Sequence, residues 1–160
     1  MRNRILIALD ESKSAWMAVE YVAAIFRNAQ GVEVTLFHVL PAIPTALWNP
    51  GHILTKEEQE QKRRLSAKWE EGETKKWKAL FGKAQKFLVS AGIPARMITR
   101  EFKPDRSSVA QEIIDEARER GYSTIVMGRR GLGPIKSAIL GSVTDQVVHH
   151  AQGSAVTIVE

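Results

Sequence analysis

The sequence predicts an α/β fold, an open five-stranded parallel sheet with helices on both faces. Three observations carry that expectation. Five short apolar, β-branched runs alternate with four amphipathic stretches, giving the order βαβαβαβαβ. Most of these runs lack the polar alternation of a half-exposed strand, so both faces are expected to be covered. The 160 residues, 44% apolar and 26% charged, suit one domain over residues 1–160 with a real core. Strands separated by helices pair in parallel through right-handed crossovers.

Residues 4–10 (RILIALD) read as the first strand, ending in an acid. Ser12 or Ser14 can cap the next helix, where Ala15, Ala18, Val19, Val22, Ala23 and Phe26 form one apolar stripe that Gly31 closes. Residues 32–39 (VEVTLFHV) are the second strand, and Pro41, Pro44 and Pro50 mark a loop. From Thr55 to about Ala91 the pattern is helical, with Trp77, Leu80, Phe81, Ala84 and Leu88 on one face and Gly72 as a point of division into two helices. Gly92 and Pro94 end that segment, and residues 95–102 (ARMITREF) make the third strand. Ser107 or Ser108 opens a helix carrying Val109, Ile113 and Ala117, and Ser108 with Gln111 fits a capping box. Residues 123–127 (STIVM) form a fourth strand, 143–151 the last helix, and 155–159 (AVTIV) the last strand.

In such sheets ligands bind beyond the carboxyl ends of the strands, where strand order reverses. Asp10 stands at the end of strand one, and the loop 128–141 follows strand four. Gly128 and Gly131 let the backbone approach an anion closely. Gly141 and Ser142 open the last helix, whose unpaired N–H groups favour negative charge. Asp10, acceptor-only when ionised, suits a ribose hydroxyl better than a phosphate.

Gly128, two residues, Gly131, nine residues, then Gly141-Ser142 has the spacing of the G-2x-G-9x-G-[S/T] motif. The chain thereby resembles the ATP-binding branch of the universal stress protein family, whose fold is Rossmann-like, of the adenine nucleotide alpha hydrolase-like type. The similarity extends to Asp10 and Ser12, to His38-Val39 and to His149-His150-Ala151, leaving about 42–66 as a variable insertion. The resemblance implies that Asp10 holds the ribose and that the Val39 backbone meets the adenine edge. It implies that Ala8 lines the pocket and Gly128 lies against the ribose. Gly131, Gly141, Ser142 and Val143 would supply donors to the phosphates, which hold Mg2+ or Mn2+. It also implies a homodimer through strand 155–159. Two departures from the pattern stand out: Glu11 replaces the small residue after the aspartate, and Arg129 and Arg130 fill both variable positions of the first glycine pair.

Simpler roles compete at several of these residues. Asp10 can cap the next helix, and Ser142 with Asp145 fits a capping box. Adjacent His149 and His150 diverge on a helix and cannot chelate together, and His38 lacks a second ligand nearby, so all three read as structural. Neither a Walker A frame nor G-x-G-x-x-G occurs.

With no cysteine, disulfide scaffolds, thiolate zinc sites and cysteine nucleophiles are excluded. No apolar run approaches a membrane span, and residues 5–9 are too short for a signal peptide, which gives a cytoplasmic address as the expectation. Of the net charge of +5, most sits on residues 56–87, with ten Lys+Arg against six Asp+Glu, and part on Arg129, Arg130 and Lys136. The expected function is an ATP-binding, cytosolic regulatory module of the stress response. The alternatives are a slow ATPase or nucleotide hydrolase, and an interaction protein using the basic helix 56–87. Trp69 and Trp77 among lysines could stack nucleic acid. Their place on an amphipathic helix favours packing instead.

Overall fold

The structure is a computed structural model that describes residues 3–41, 53–104, 107–131 and 140–160. Its elements are β1 (Asn3–Ala8), α1 (Lys13–Ile25), β2 (Val32–Leu40), α2 (Lys56–Ser90), β3 (Ile98–Pro104), α3 (Val109–Arg120), β4 (Thr124–Gly128), α4 (Ser142–His150) and β5 (Ala155–Val159). The five strands form one sheet in the order β3-β2-β1-β4-β5, and every pairing is parallel. The chain builds outward from β1 through β2 to β3, then crosses to β4 and β5. Strand order therefore reverses between β1 and β4, the junction the sequence singles out.

The continuous apolar runs of β1 and β2 are explained by two cores. Ile5, Ile7, Val34, Leu36 and Val126 face α1 and α2, while Leu6, Phe37, Val39, Ile125 and Met127 face α3 and α4. The predicted stripe of α1 is buried at Ala15, Ala18, Val19, Val22 and Ala23. Helix α2 packs through Trp77, Phe81, Ala84 and Leu88, and Phe81 stacks on Phe102 of β3 with ring centroids 4.6 Å apart.

Several boundaries differ from the sequence reading for identifiable reasons. Gly72 does not divide α2, which runs unbroken through it; a Cβ there would meet nothing, so the residue costs propensity without creating a break. A full capping box, Thr55 with Glu58, starts this helix. Helix α1 stops at Ile25 rather than near Gly31, because Asn28 takes a left-handed φ of 60° and turns the chain first. Ala95–Met97 coil into a single 3-10 turn, so β3 begins at Ile98. Ser108 caps α3 by accepting from Gln111 N–H, but the Gln111 side chain turns to Asp115 rather than closing a box. The Ser142–Asp145 box does not form: Gly141 is the N-cap of α4, without a side-chain cap, and Ser142 is the first helical residue.

One buried charge ties α3 to β3. Glu116 has no exposed surface; its Oε2 lies 2.7 Å from Lys103 Nζ and its Oε1 3.0 Å from Arg120 Nε. Arg120 also reaches Glu101 at 3.2 Å. Removing both cations strands a carboxylate in the interior, whereas an amide at 116 keeps the shape without the charge. The double variant Lys103→Met/Arg120→Met is expected to lose about 3–5 kcal/mol of stability. Glu116→Gln should lose clearly less. Urea-unfolding midpoints measure both, and an equal or reversed ranking would show that the carboxylate is not the constraint.

Candidate functional site

A cleft of about 210 Å³ opens at the carboxyl ends of β1, β2 and β4. All eight site residues named from the sequence line it: Ala8, Asp10, Val39, Gly128, Gly131, Gly141, Ser142 and Val143. The strands that end in Ala8, Val39 and Gly128 are adjacent, which brings these residues together. Residues 132–139 of the spacer, including Lys136, lie outside the described residues, as do residues 42–52 of the variable insertion with Pro44 and Pro50.

The first glycine pair is fixed by its neighbours. A Cβ at Gly128 would stand 2.4 Å from the Ser14 carbonyl carbon, so a side chain there would drive α1 off the sheet. A Cβ at Gly131 would stand 2.5 Å from Asp10 Oδ2, in the space the carboxylate uses. The carbonyl of Arg130 between them accepts hydrogen bonds from Ser12 (3.3 Å) and Ser14 Oγ. Ser12 also caps α1, accepting from Ala15 N–H at 3.1 Å, and its own N–H donates to Asp10 Oδ1 at 2.8 Å. Asp10 thus has a single orientation, with its carboxylate against Gly131 at the cleft.

On the far side, the Gly141 N–H donates to Arg129 O at 3.0 Å, closing the loop. What Gly141 brings to the cleft is its bare Cα, beside Arg130, rather than a donor. The next N–H groups, of Ser142, Val143 and Thr144, belong to the first turn of α4, which has no intrahelical acceptor for them and no side-chain cap. Buried Thr144 bonds through Oγ1 to Gly128 O at 3.1 Å and fixes where α4 starts relative to β4.

The two departures resolve geometrically. Glu11 does not line the cleft; its Oε2 pairs with Lys76 of α2 at 2.7 Å. Arg129 turns to Glu160 at 2.6 Å, and Arg130 lines the cleft. Asp10 is the one carboxylate among the described residues of the lining.

The sequence reading missed the apolar wall, made by Phe37, Val109, Ile113 and Met127. Val109 and Ile113 carry a signal, their spacing of four, but that spacing points equally to the core stripe of α3. His38, which the sequence alone marks as structural, also lines the cleft. Its ring is stacked on Trp77 with centroids 3.4 Å apart, and its Nδ1 donates to Leu9 O at 2.7 Å. Burial pushes the imidazole below its ordinary value, against the raising influence of the Leu9 bond, Asp10 and Glu73. His149 and His150 stay on the exposed face of α4, each Nδ1 bonded to the carbonyl four residues back. Among the described residues no cluster of three His, Cys, Asp or Glu could hold a metal.

A sequence profile described as the universal stress protein family matches residues 1–159. The universal stress protein YxiE of Bacillus subtilis is 28% identical over 154 residues, covering 92% of each chain. The solved structure of the hypothetical protein MJ0577 superposes with a TM-score of 0.73 at 25% identity, covering 99% of this chain and 96% of that one. A universal stress protein from Archaeoglobus fulgidus, solved in complex with dAMP, superposes with a TM-score of 0.61 at 20% identity, covering 98% and 97%.

The lowered pKa of His38 makes stability depend on pH. From the ordinary value of 6.5 down to the folded one, the unfolded chain binds more protons than the folded chain. Stability therefore rests on the neutral ring above 6.5 and falls as acid crosses that window, by up to about 1.4 kcal/mol per pH unit. Urea midpoints at about pH 7.5 and about pH 5.5 should separate more in the parent protein than in His38→Asn, which cannot take up the proton. Equal separations would contradict the assignment.

Proposed function

The chain belongs to the universal stress protein family, and from that premise we propose that it binds ATP in the β1/β4 cleft as a nucleotide-dependent regulatory module. One observation carries this reading: a single cleft joins an apolar wall, an oriented acceptor-only carboxylate and an uncapped helix N-terminus. Those are the requirements of a base, a sugar and a phosphate chain, in that order. The base lies against Phe37, Ile113 and Met127 with its edge at the Val39 backbone. Asp10 accepts from a ribose hydroxyl. The first-turn N–H groups of α4, the Ser142 hydroxyl and Arg130 receive the phosphates. The Archaeoglobus relative of the same fold, solved in complex with dAMP, supports an adenine nucleotide as the class of ligand.

Mg2+ or Mn2+ fits as an ion carried on the phosphates, neutralising their charge, because the described residues offer no cluster of ligands for it. We read the cleft as regulatory rather than as a site of turnover. Phosphoryl transfer needs a group that positions or deprotonates the nucleophile near the terminal phosphate, and the one carboxylate of the described lining is assigned to the sugar. A cysteine-free chain with no described helix long and apolar enough to cross a membrane suits the cytoplasm.

We assign a homodimer to the β5 edge. β5 is the last strand of the sheet, and four of its five residues are half-buried. Ala155 N–H donates inward, to Ser123 O. Alternation along the strand then turns the N–H groups of Val156 and Ile158 outward, where a second copy would use them.

Two measurements test these readings. Titration calorimetry with ATP and Mg2+ should show Asp10→Ala weakened at least about tenfold, the worth of a hydrogen bond to a charged acceptor. Gly141→Val, whose Cβ would stand 3.3 Å from Arg130 Cα, should lose binding while circular dichroism stays unchanged. Unaltered affinity in both variants would sink the assignment. For the dimer, Ile158→Pro removes an outward donor and leaves the β4 ladder intact. Sedimentation velocity should show it monomeric where the parent is dimeric.

A further inference from the structure

Leu9 is the residue before Asp10, and both of its backbone polar groups are held by β2. Its N–H donates to Phe37 O at 2.8 Å, and its carbonyl accepts from His38 Nδ1 at 2.7 Å. The backbone register of β1 on β2 ends at Ala8. The imidazole thus extends the strand connection past the end of the ladder, up to the residue from which Asp10 departs. A carbonyl only accepts, so the hydrogen sits on Nδ1, and Nε2 of the neutral ring is an acceptor.

The ring has little freedom to do otherwise. It is 9% exposed and stacked on Trp77 at an interplanar angle of 24°. Trp77 is itself tethered by its indole N–H to Glu73 Oε2 at 3.1 Å. Asp10 is consequently fixed from two sides, by Ser12 N–H on its own carboxylate and by His38 on the carbonyl behind it.

We propose that His38 is a positioning residue for ligand recognition: by holding the Leu9 carbonyl, it sets the direction in which Asp10 presents its carboxylate to the sugar hydroxyls. The inference rests on the nucleotide reading of the cleft, and it makes His38 a determinant of sugar specificity rather than a packing residue.

The test compares affinities for ATP and 2′,3′-dideoxyATP, both with Mg2+, in the parent protein, Asp10→Ala, His38→Asn, His38→Gln and His38→Leu. Asn places its amide N–H near the position of Nδ1, whereas Gln carries it further out and Leu has none. The parent should prefer ATP by about tenfold or more, the value of a hydrogen bond to a carboxylate. His38→Asn should keep that preference, and His38→Gln and His38→Leu should fall to the ratio of Asp10→Ala. Equal ratios for Asn and Gln, or a parent-like ratio in Leu, would overturn the proposal while leaving the nucleotide reading in place. A parent protein that binds neither nucleotide would instead overturn the nucleotide reading, and the proposal with it. Nitrogen-15 shifts of His38 in the unmutated protein give a check that needs no variant to fold: a hydrogen on Nδ1 is expected, and one on Nε2 would refute the bond.

Discussion

The site depends on how closely the start of α1 can approach the end of β4. With hydrogen as its only side chain, Gly128 leaves room for the Ser14 backbone, where a Cβ would stand only 2.4 Å away. That approach lets the hydroxyls of Ser12 and Ser14 reach the Arg130 carbonyl, and it places Gly131 against Asp10. The β1–α1 turn and the β4 loop are therefore one interlocked unit built across the reversal of strand order. On this account the glycine spacing serves packing first. The placing of the α4 N-terminus at the cleft follows from it, since Thr144 registers α4 on Gly128 and the Gly141 N–H closes back on Arg129.

The charge distribution sharpens the same site. Glu11 is drawn away to Lys76 and Arg129 to Glu160, while Arg130 lines the cleft with the α4 N-terminus. Such exposed pairs contribute little stability. Their consequence is directional, because they decide which charges face a ligand. The acid that broke the family pattern adds no negative charge to the lining. The larger basic excess lies on α2, whose buried residues begin only at Trp77, leaving its earlier turns stabilised by the Thr55–Glu58 box and by pairs such as Glu60–Arg64.

Much of this was legible because each cue was local. Continuous apolar runs implied strands covered on both faces, and β1 and β2 lie between two cores. The motif spacing named residues that do line one cleft. The cues failed where a local preference met a tertiary one. Gly72 looked like a break, yet α2 passes through it, and Ser142 looked like a cap, yet Gly141 holds that place. Val109 and Ile113 show a further limit: periodicity assigned them to a helix face, but only the fold shows that the top of that face is also the wall of the cleft.

His38 marks the deepest of these limits. Read along the chain it is a lone histidine at a strand end, without metal-ligand spacing, and nothing nearby explains a polar residue in an apolar run. Its two contacts come from residues remote in sequence, Leu9 through the β1–β2 register and Trp77 through the packing of α2. Trp77 is also where α2 first becomes buried, and its neighbour Lys76 pairs with Glu11 beside Asp10. The body of the protein therefore meets α2 at the level of the cleft, through one aromatic stack and one ion pair. A residue that bridges strand, helix and cleft wall must be polar enough to hold a carbonyl and flat enough to stack. Among the ordinary side chains imidazole meets both demands, and burial keeps it in the neutral form that donates from Nδ1 alone.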